Sequence, residues 1–210
     1  MSTSISNSFC SQLCLLGIRN GGIPDPACPN SSLHLLGQLA NPDILTRHVM
    51  ETIQLYSDTH MELIHRSNDK STAVYRMTLP LTGLTFILKA AWDQGIPVQQ
   101  QEYRFYEHMR GVQGSCIPVC LGAFVIPFNS FITPVNTHFM ILSSAGIPVT
   151  EGIVDETNKN RAHLIYWRTA SEIARNSGVT HNATDWRNLF YNDVINDFML
   201  VDFSEALFAN

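Results

Sequence analysis

The chain carries little charge. Lys and Arg number 13 and Asp and Glu 18, so 15% of the 210 residues are charged and the formal net charge is −5. Soluble proteins average roughly 25%. No block of five like charges occurs, which leaves no basic groove for phosphates and excludes nucleic-acid binding as a main function. No apolar run approaches the about 20 residues that a membrane span needs. The first eleven residues are Ser-rich without a basic region, and the apolar run Leu13 to Ile18 is too short for the core of a secretory signal. These absences predict a cytoplasmic protein. Apolar residues make up 45%, enough for one ordinary domain or two small lobes and too many for a disordered tail. So sparsely charged a surface is compatible with a homodimer.

Five cysteines are present, Cys10, Cys14, Cys28, Cys116 and Cys120. An odd count without a secretory signal predicts reduced thiols. The pairs 10/14 and 116/120 could each span one helical turn. Cys120 lies in an apolar run, and no Cys-x2-Cys or tight His pair accompanies them. Packing or loop cysteines are therefore expected rather than zinc ligands.

Residues 1–44 are rich in Ser, Asn, Gly and Pro and read as a loop-rich leader with one short helix near Ser31 to Leu39. Strand-like runs follow at Thr59 to Arg66, Thr72 to Leu79 and Leu84 to Trp92, a predicted antiparallel meander. Alternation places Leu84, Phe86, Leu88 and Ala90 on one face and Ile87 and Lys89 on the other. Val98 to Arg110 reads as a helix with the stripe Val98, Phe105, Tyr106 and Met109. Glu102 lies on that stripe, where burying a carboxylate requires a partner. Lys89 is the nearest cation in sequence, and the alternative is a stripe edge in water. Cys116 to Phe128 and His138 to Leu142 read as further strands, and Asn160 to Asn176 as a second helix stopped at Ser177-Gly178. The aromatics Phe124, Phe128, Phe131, Phe139 and Tyr166 are expected in the core.

This order resembles the protein-kinase-like fold, in particular small kinase-like proteins of fungi. Phe86-Ile87-Leu88-Lys89 is similar to the strand bearing that family's phosphate-contacting lysine, and Glu102 to its helix partner. Ile141-Leu142-Ser143 to Gly146 resembles the inter-lobe hinge. Gly178-Val179-Thr180-His181 with Asn188 resembles the catalytic loop, and Val201-Asp202-Phe203-Ser204 the metal-binding Asp-Phe-Gly segment. The implied fold is α+β, a truncated bilobal kinase-like fold: leader 1–44, an N-lobe at 45–145 with an antiparallel sheet and one helix, and a reduced helical C-lobe at 146–210. The sequence also departs from the family. Ala183 stands where the loop aspartate that handles the acceptor's proton belongs, with Asp185 two residues further on. Arg66 to Ser71 contains no glycine to let backbone amides approach phosphates. The chain as given extends eight residues beyond Asp202, without a peptide-substrate platform.

The leading expectation is a kinase-fold protein that has lost protein phosphorylation. Its inter-lobe cleft would bind a small organic ligand, as a cyclisation or rearrangement enzyme of fungal secondary metabolism. Lys89, Glu102, His181, Asp185 and Asp202 are the expected catalytic rim, with Asn188 and Phe203 contacting ligand. No cofactor is expected on this reading. One alternative is a non-catalytic pseudokinase that binds a protein or nucleotide. Another is a small-molecule phosphotransferase using Mg-ATP, with Asn188 and Asp202 holding magnesium.

Overall fold

Alternating apolar residues build one sheet. The computed structural model describes residues 8–34, 42–69, 71–80, 82–128, 135–149, 159–183 and 186–208. The strands β1 (Met61–Arg66), β2 (Thr72–Thr78), β3 (Thr85–Trp92), β4 (Cys120–Phe128) and β5 (Val135–Leu142) pair antiparallel in the order β1-β2-β3-β5-β4. Phe86, Leu88 and Ala90 are buried with Tyr75, Met77, Phe139 and Ile141, whereas Ile87 and Lys89 are half-buried on the opposite face. Lys89 is flanked by Val74 on β2 and Met140 on β5. The fourth strand begins at Cys120 rather than Cys116, because Gln113 to Ile117 closes a turn with Gly114 N–H donating to Ile117 O. Of the aromatics expected inside, Phe128, Phe139 and Tyr166 are buried and Phe124 is half-buried. Phe131 lies outside the described residues.

The leader is more ordered than its composition suggests. It forms α1 (Gln12–Arg19), and α2 (Pro42–His60) follows. Ser11 caps α1 by accepting from Cys14 N–H. The helix stops in a Schellman motif: Gly21, at φ +68, donates to Ile18 O, and Gly22 donates to Gly17 O. The turn-forming Asn20-Gly21-Gly22 is thus a helix stop. Pro42 opens α2, where a missing N–H costs nothing. Leu45, Val49, Thr52 and Ile53 form its buried stripe, and the helix packs on β4 and β1. The expected helix near Ser31 is a short 3-10 turn, Ser31–Leu33; positions 35–39 lie outside the described residues.

The chain divides into two compact units, Met1–Gln99 with Cys120–Ser144, and Gln100–Val119 with Ala145–Asn210. The helix α3 (Gly95–His108) begins in the first and ends in the second. Its Phe105 and Tyr106 are buried, as is Met109 just beyond it, but Val98 is 48% exposed and does not belong to the stripe. The second unit adds β6 (Ile147–Pro148), α4 (Lys159–Ser177), β7 (Val179–Thr180), β8 (Leu189–Asn192), β9 (Asp197–Leu200) and β10 (Leu207–Phe208). β6, β8 and β9 form one small antiparallel sheet, and β10 pairs with β7. α4 buries Ala162, Tyr166, Ala170 and Ile173 and ends before Gly178 at φ +67. The fold is therefore α+β with antiparallel sheets. No described helix is long and apolar enough to cross a membrane.

Candidate metal centre

Three thiols and one imidazole converge in the first unit. Cys10 immediately precedes the α1 cap and Cys14 lies in its first turn, so the cap geometry brings both sulfurs to one side. After the Schellman stop the chain returns through a turn closed by Cys28 N–H donating to Asp25 O. Asp25 is itself fixed by accepting from the Ser11 hydroxyl at 2.7 Å. Cys28 and His34 complete the group, and all four residues are buried.

The four donor atoms lie close enough together to share a single ion. The sulfurs of Cys10, Cys14 and Cys28 lie 3.7, 3.3 and 3.4 Å from His34 Nε2. All four donor atoms lie within 4.8 Å of one another. A tetrahedral zinc with Zn–S of about 2.3 Å and Zn–N of about 2.0 Å has ligand–ligand edges of roughly 3.5–3.8 Å. Three soft sulfurs and an imidazole suit zinc, and four protein ligands leave no open position, as in a structural site. The outer partners fit as well. His34 Nδ1 lies 2.9 Å from Thr82 O. A carbonyl can only accept, so Nδ1 donates to Thr82 O, and Nε2, facing the sulfurs, is the nitrogen left to bind a metal once its own proton is displaced. Thr85 N–H at 3.3 Å and Asn30 Nδ2 at 3.6 Å both point at Cys10 Sγ, which draws off charge from a thiolate.

Without a metal the cluster is set up as a thiolate–imidazolium pair of Cys28 and His34. Hydrogen bonding from Cys10, then from Cys14 and His34, holds the Cys28 thiol well below its usual range. Cys14 is pushed up, first by its hydrogen bond with Cys10, because neighbouring sulfurs resist a second negative charge. Burial opposes charge on His34, but hydrogen bonds to Cys10, Cys28 and Thr82 outweigh it and raise the imidazole to about 10. A metal ion would replace these protons.

The cluster does not fit the expectation of no cofactor, and it gathers three of the cysteines expected only to pack into one group with His34. The missed signal was four soft ligands within 25 residues, Cys-x3-Cys-x13-Cys-x5-His. The last two ligands come from loops with no periodic pattern. Cys116 and Cys120 lie outside the centre; burial pushes the Cys116 thiol up to about 11.

The residues expected at a catalytic rim are distributed between the units. Lys89 lies on β3 in the first unit. Glu102, His181, Asn188, Asp202 and Phe203 belong to the second. Asp185 lies outside the described residues. Glu102 is 1% exposed, not at a wetted edge, and accepts from Phe203 N–H at 3.4 Å. His181 is buried. Its Nε2 faces Val201 O at 2.9 Å, so that nitrogen donates; its Nδ1 lies 3.0 Å from the Tyr166 hydroxyl. Its ring meets Phe203 edge-on at 4.8 Å, and Phe203 in turn meets Tyr106 at 5.5 Å. Both ring nitrogens thus have structural partners. Asp202 is half-buried at φ +64, and Val201 N–H donates to Asn188 O, which ties the segment before Asp202 to the end of the loop.

No family model matches the sequence. The chain is similar to the meiotic driver SPOK2 of the fungus Podospora anserina, 24% identical over 214 residues covering 96% of this chain and 26% of that protein. It spans about a quarter of the length of that curated relative.

Proposed function

We infer that this chain is a zinc-stapled, kinase-like domain that binds a small ligand and does not phosphorylate protein. The observation carrying the zinc part is the His34 ring, held through Nδ1 by Thr82 with Nε2 directed at three thiols. Zinc here ties the loops of residues 10–34 to α1, and the His34–Thr82 and Cys10–Thr85 hydrogen bonds join that segment to the sheet. The test is metal analysis of the purified protein, with cobalt replacement read by its absorption spectrum. One ion per chain and a tetrahedral thiolate spectrum are expected, both lost in Cys28→Ser. Native protein without metal, whose Cys10, Cys14 and Cys28 react freely with thiol reagents, would falsify the zinc reading.

The kinase-like part is supported by Lys89 in the central strand of the sheet, Glu102 on the helix that follows, and the packing of His181 on Phe203. Asp202 supports a site in the second unit, since strained non-glycine backbone concentrates where side chains have a task. Ala183 supports the loss of protein phosphorylation. Within the second unit the assigned roles are ligand contact for Asp202 and bracing of the Asp202 segment for Glu102 and His181. The ligand's rearrangement or cyclisation belongs to this reading. Mg-ATP is the second reading, favoured by the oxygen donors of Asp202 and Asn188. Calorimetric titration of the zinc-loaded protein with ATP, with and without magnesium, separates them. Magnesium-dependent binding lost in Asp202→Ala selects nucleotide. Silence at millimolar ATP selects an organic ligand, sought next in metabolite extracts. We place this domain in the setting of meiotic drive, the property named for its fungal relative. Skewed spore segregation in crosses heterozygous for the gene is the expected result.

A further inference from the structure

The metal ligands flank a side chain that reaches the residues leaving β5, at the sheet end where β3 starts. Gln12 lies between Cys10 and Cys14 in the first turn of α1 and is 2% exposed. Its Nε2 donates to Ser144 O at 2.6 Å, and its Oε1 accepts from the buried Ser143 hydroxyl. The amide thus grips both residues that follow β5, more than 130 positions away along the chain. Ser144 is the last residue of the first unit, and the chain passes to the second at Ala145. The same turn of α1 is anchored at the start of β3, where Cys10 N–H donates to Thr85 O at 2.9 Å.

We propose that the metal centre is a lock on the exit from β5: metal holds α1 in place, and α1, through Gln12, holds Ser143 and Ser144. The proposal rests on the zinc reading. Its physical basis is the length of α1. Eight residues are too few for a helix to persist in water without external support, and Cys10 and Cys14 bracket the turn that carries Gln12. Loss of the ion removes the support nearest Gln12 and leaves the Ser11 cap and the buried Leu15 and Ile18. The turn then frays, and both bonds to the exit are lost together. Metal availability would in this way set how firmly the exit of β5 is held.

Hydrogen exchange read by mass spectrometry on the full chain tests the lock, with metal content measured on the same samples. In the zinc-loaded protein, peptides covering Gln12–Arg19 and residues 140–146 should be protected. Chelation should accelerate exchange in both by about tenfold or more, as expected for local opening. Gln12→Ala should retain its zinc yet accelerate exchange at 140–146 alone. Because that variant keeps the metal, it decides the matter even if chelation unfolds the whole unit. Unchanged exchange at 140–146 in a zinc-replete Gln12→Ala protein overturns the lock and leaves the zinc reading intact. A wild-type protein that takes up no zinc removes both.

Discussion

Asn30 and His138 show how single side chains give the molecule its chemistry. Asn30 is buried and donates to Ser8 O at 2.8 Å and to Cys10 Sγ. Outer partners of this kind typically change metal affinity by about 10–100-fold. Asn30→Ala should weaken zinc by that factor, measured by competition with a chromophoric chelator, with no change in ligand number. His138 lies in the sheet between Ala91 and Val125, and its Nδ1 finds no partner among the described residues. Burial lowers its pKa from the usual histidine value, so the folded protein keeps the ring neutral. The unfolded chain takes up a proton below about pH 6.5. The contribution of the neutral ring is therefore present above that pH and is lost as pH falls below it, toward the depressed folded value. Urea midpoints should drop less between neutral and mildly acid pH in His138→Leu than in wild type. An equal drop would exclude His138 as the source. Glu102 was legible in the sequence as a carboxylate on an apolar stripe. Its contact with Phe203 N–H was not, because 101 residues separate the partners.

Among the elements, α1 is where local and tertiary preferences conflict. Gly17 is a poor helix residue, and alanine would raise helix propensity by about 1 kcal/mol. A Cβ at this position would lie 2.4 Å from Ile23 O, a backbone atom that cannot step aside. Overpacking of that kind costs typically about 1–3 kcal/mol. Gly17→Ala should therefore be destabilising by up to about 2 kcal/mol and should disturb the return of the chain toward Cys28. Denaturant midpoints and zinc content check this; a more stable, zinc-replete variant would show that the loop yields. Most strands were legible because period-two alternation survives in β2 and β3. The helix α2 was not anticipated, since the Ser- and Pro-rich positions before it blurred its start. The true signals were Pro42 at the first helical position and the spacing of Leu45, Val49 and Ile53.

For the whole molecule, the ion should act as a fold-stabilising ligand. A ligand present at about 100 times its Kd adds roughly 2.7 kcal/mol to stability. In a chain of this length that corresponds to a thermal midpoint higher by about 5–10 °C. Chelation should lower the midpoint by at least this much, and zinc should restore it. An unchanged midpoint after verified metal removal would show that the centre supports nothing beyond its own loops. By itself the sequence determined the α+β class, the alternation that turns one sheet face inward and the stop of α4 at Gly178, because each follows from residues close along the chain. Only the tertiary structure decided that Cys28 and His34 join Cys10 and Cys14, that Thr82 selects the His34 tautomer, and that Gln12 reaches Ser143 and Ser144. The first depends on how the loops between four nearby ligands close, and the other two on contacts between segments far apart in sequence, which no local period encodes.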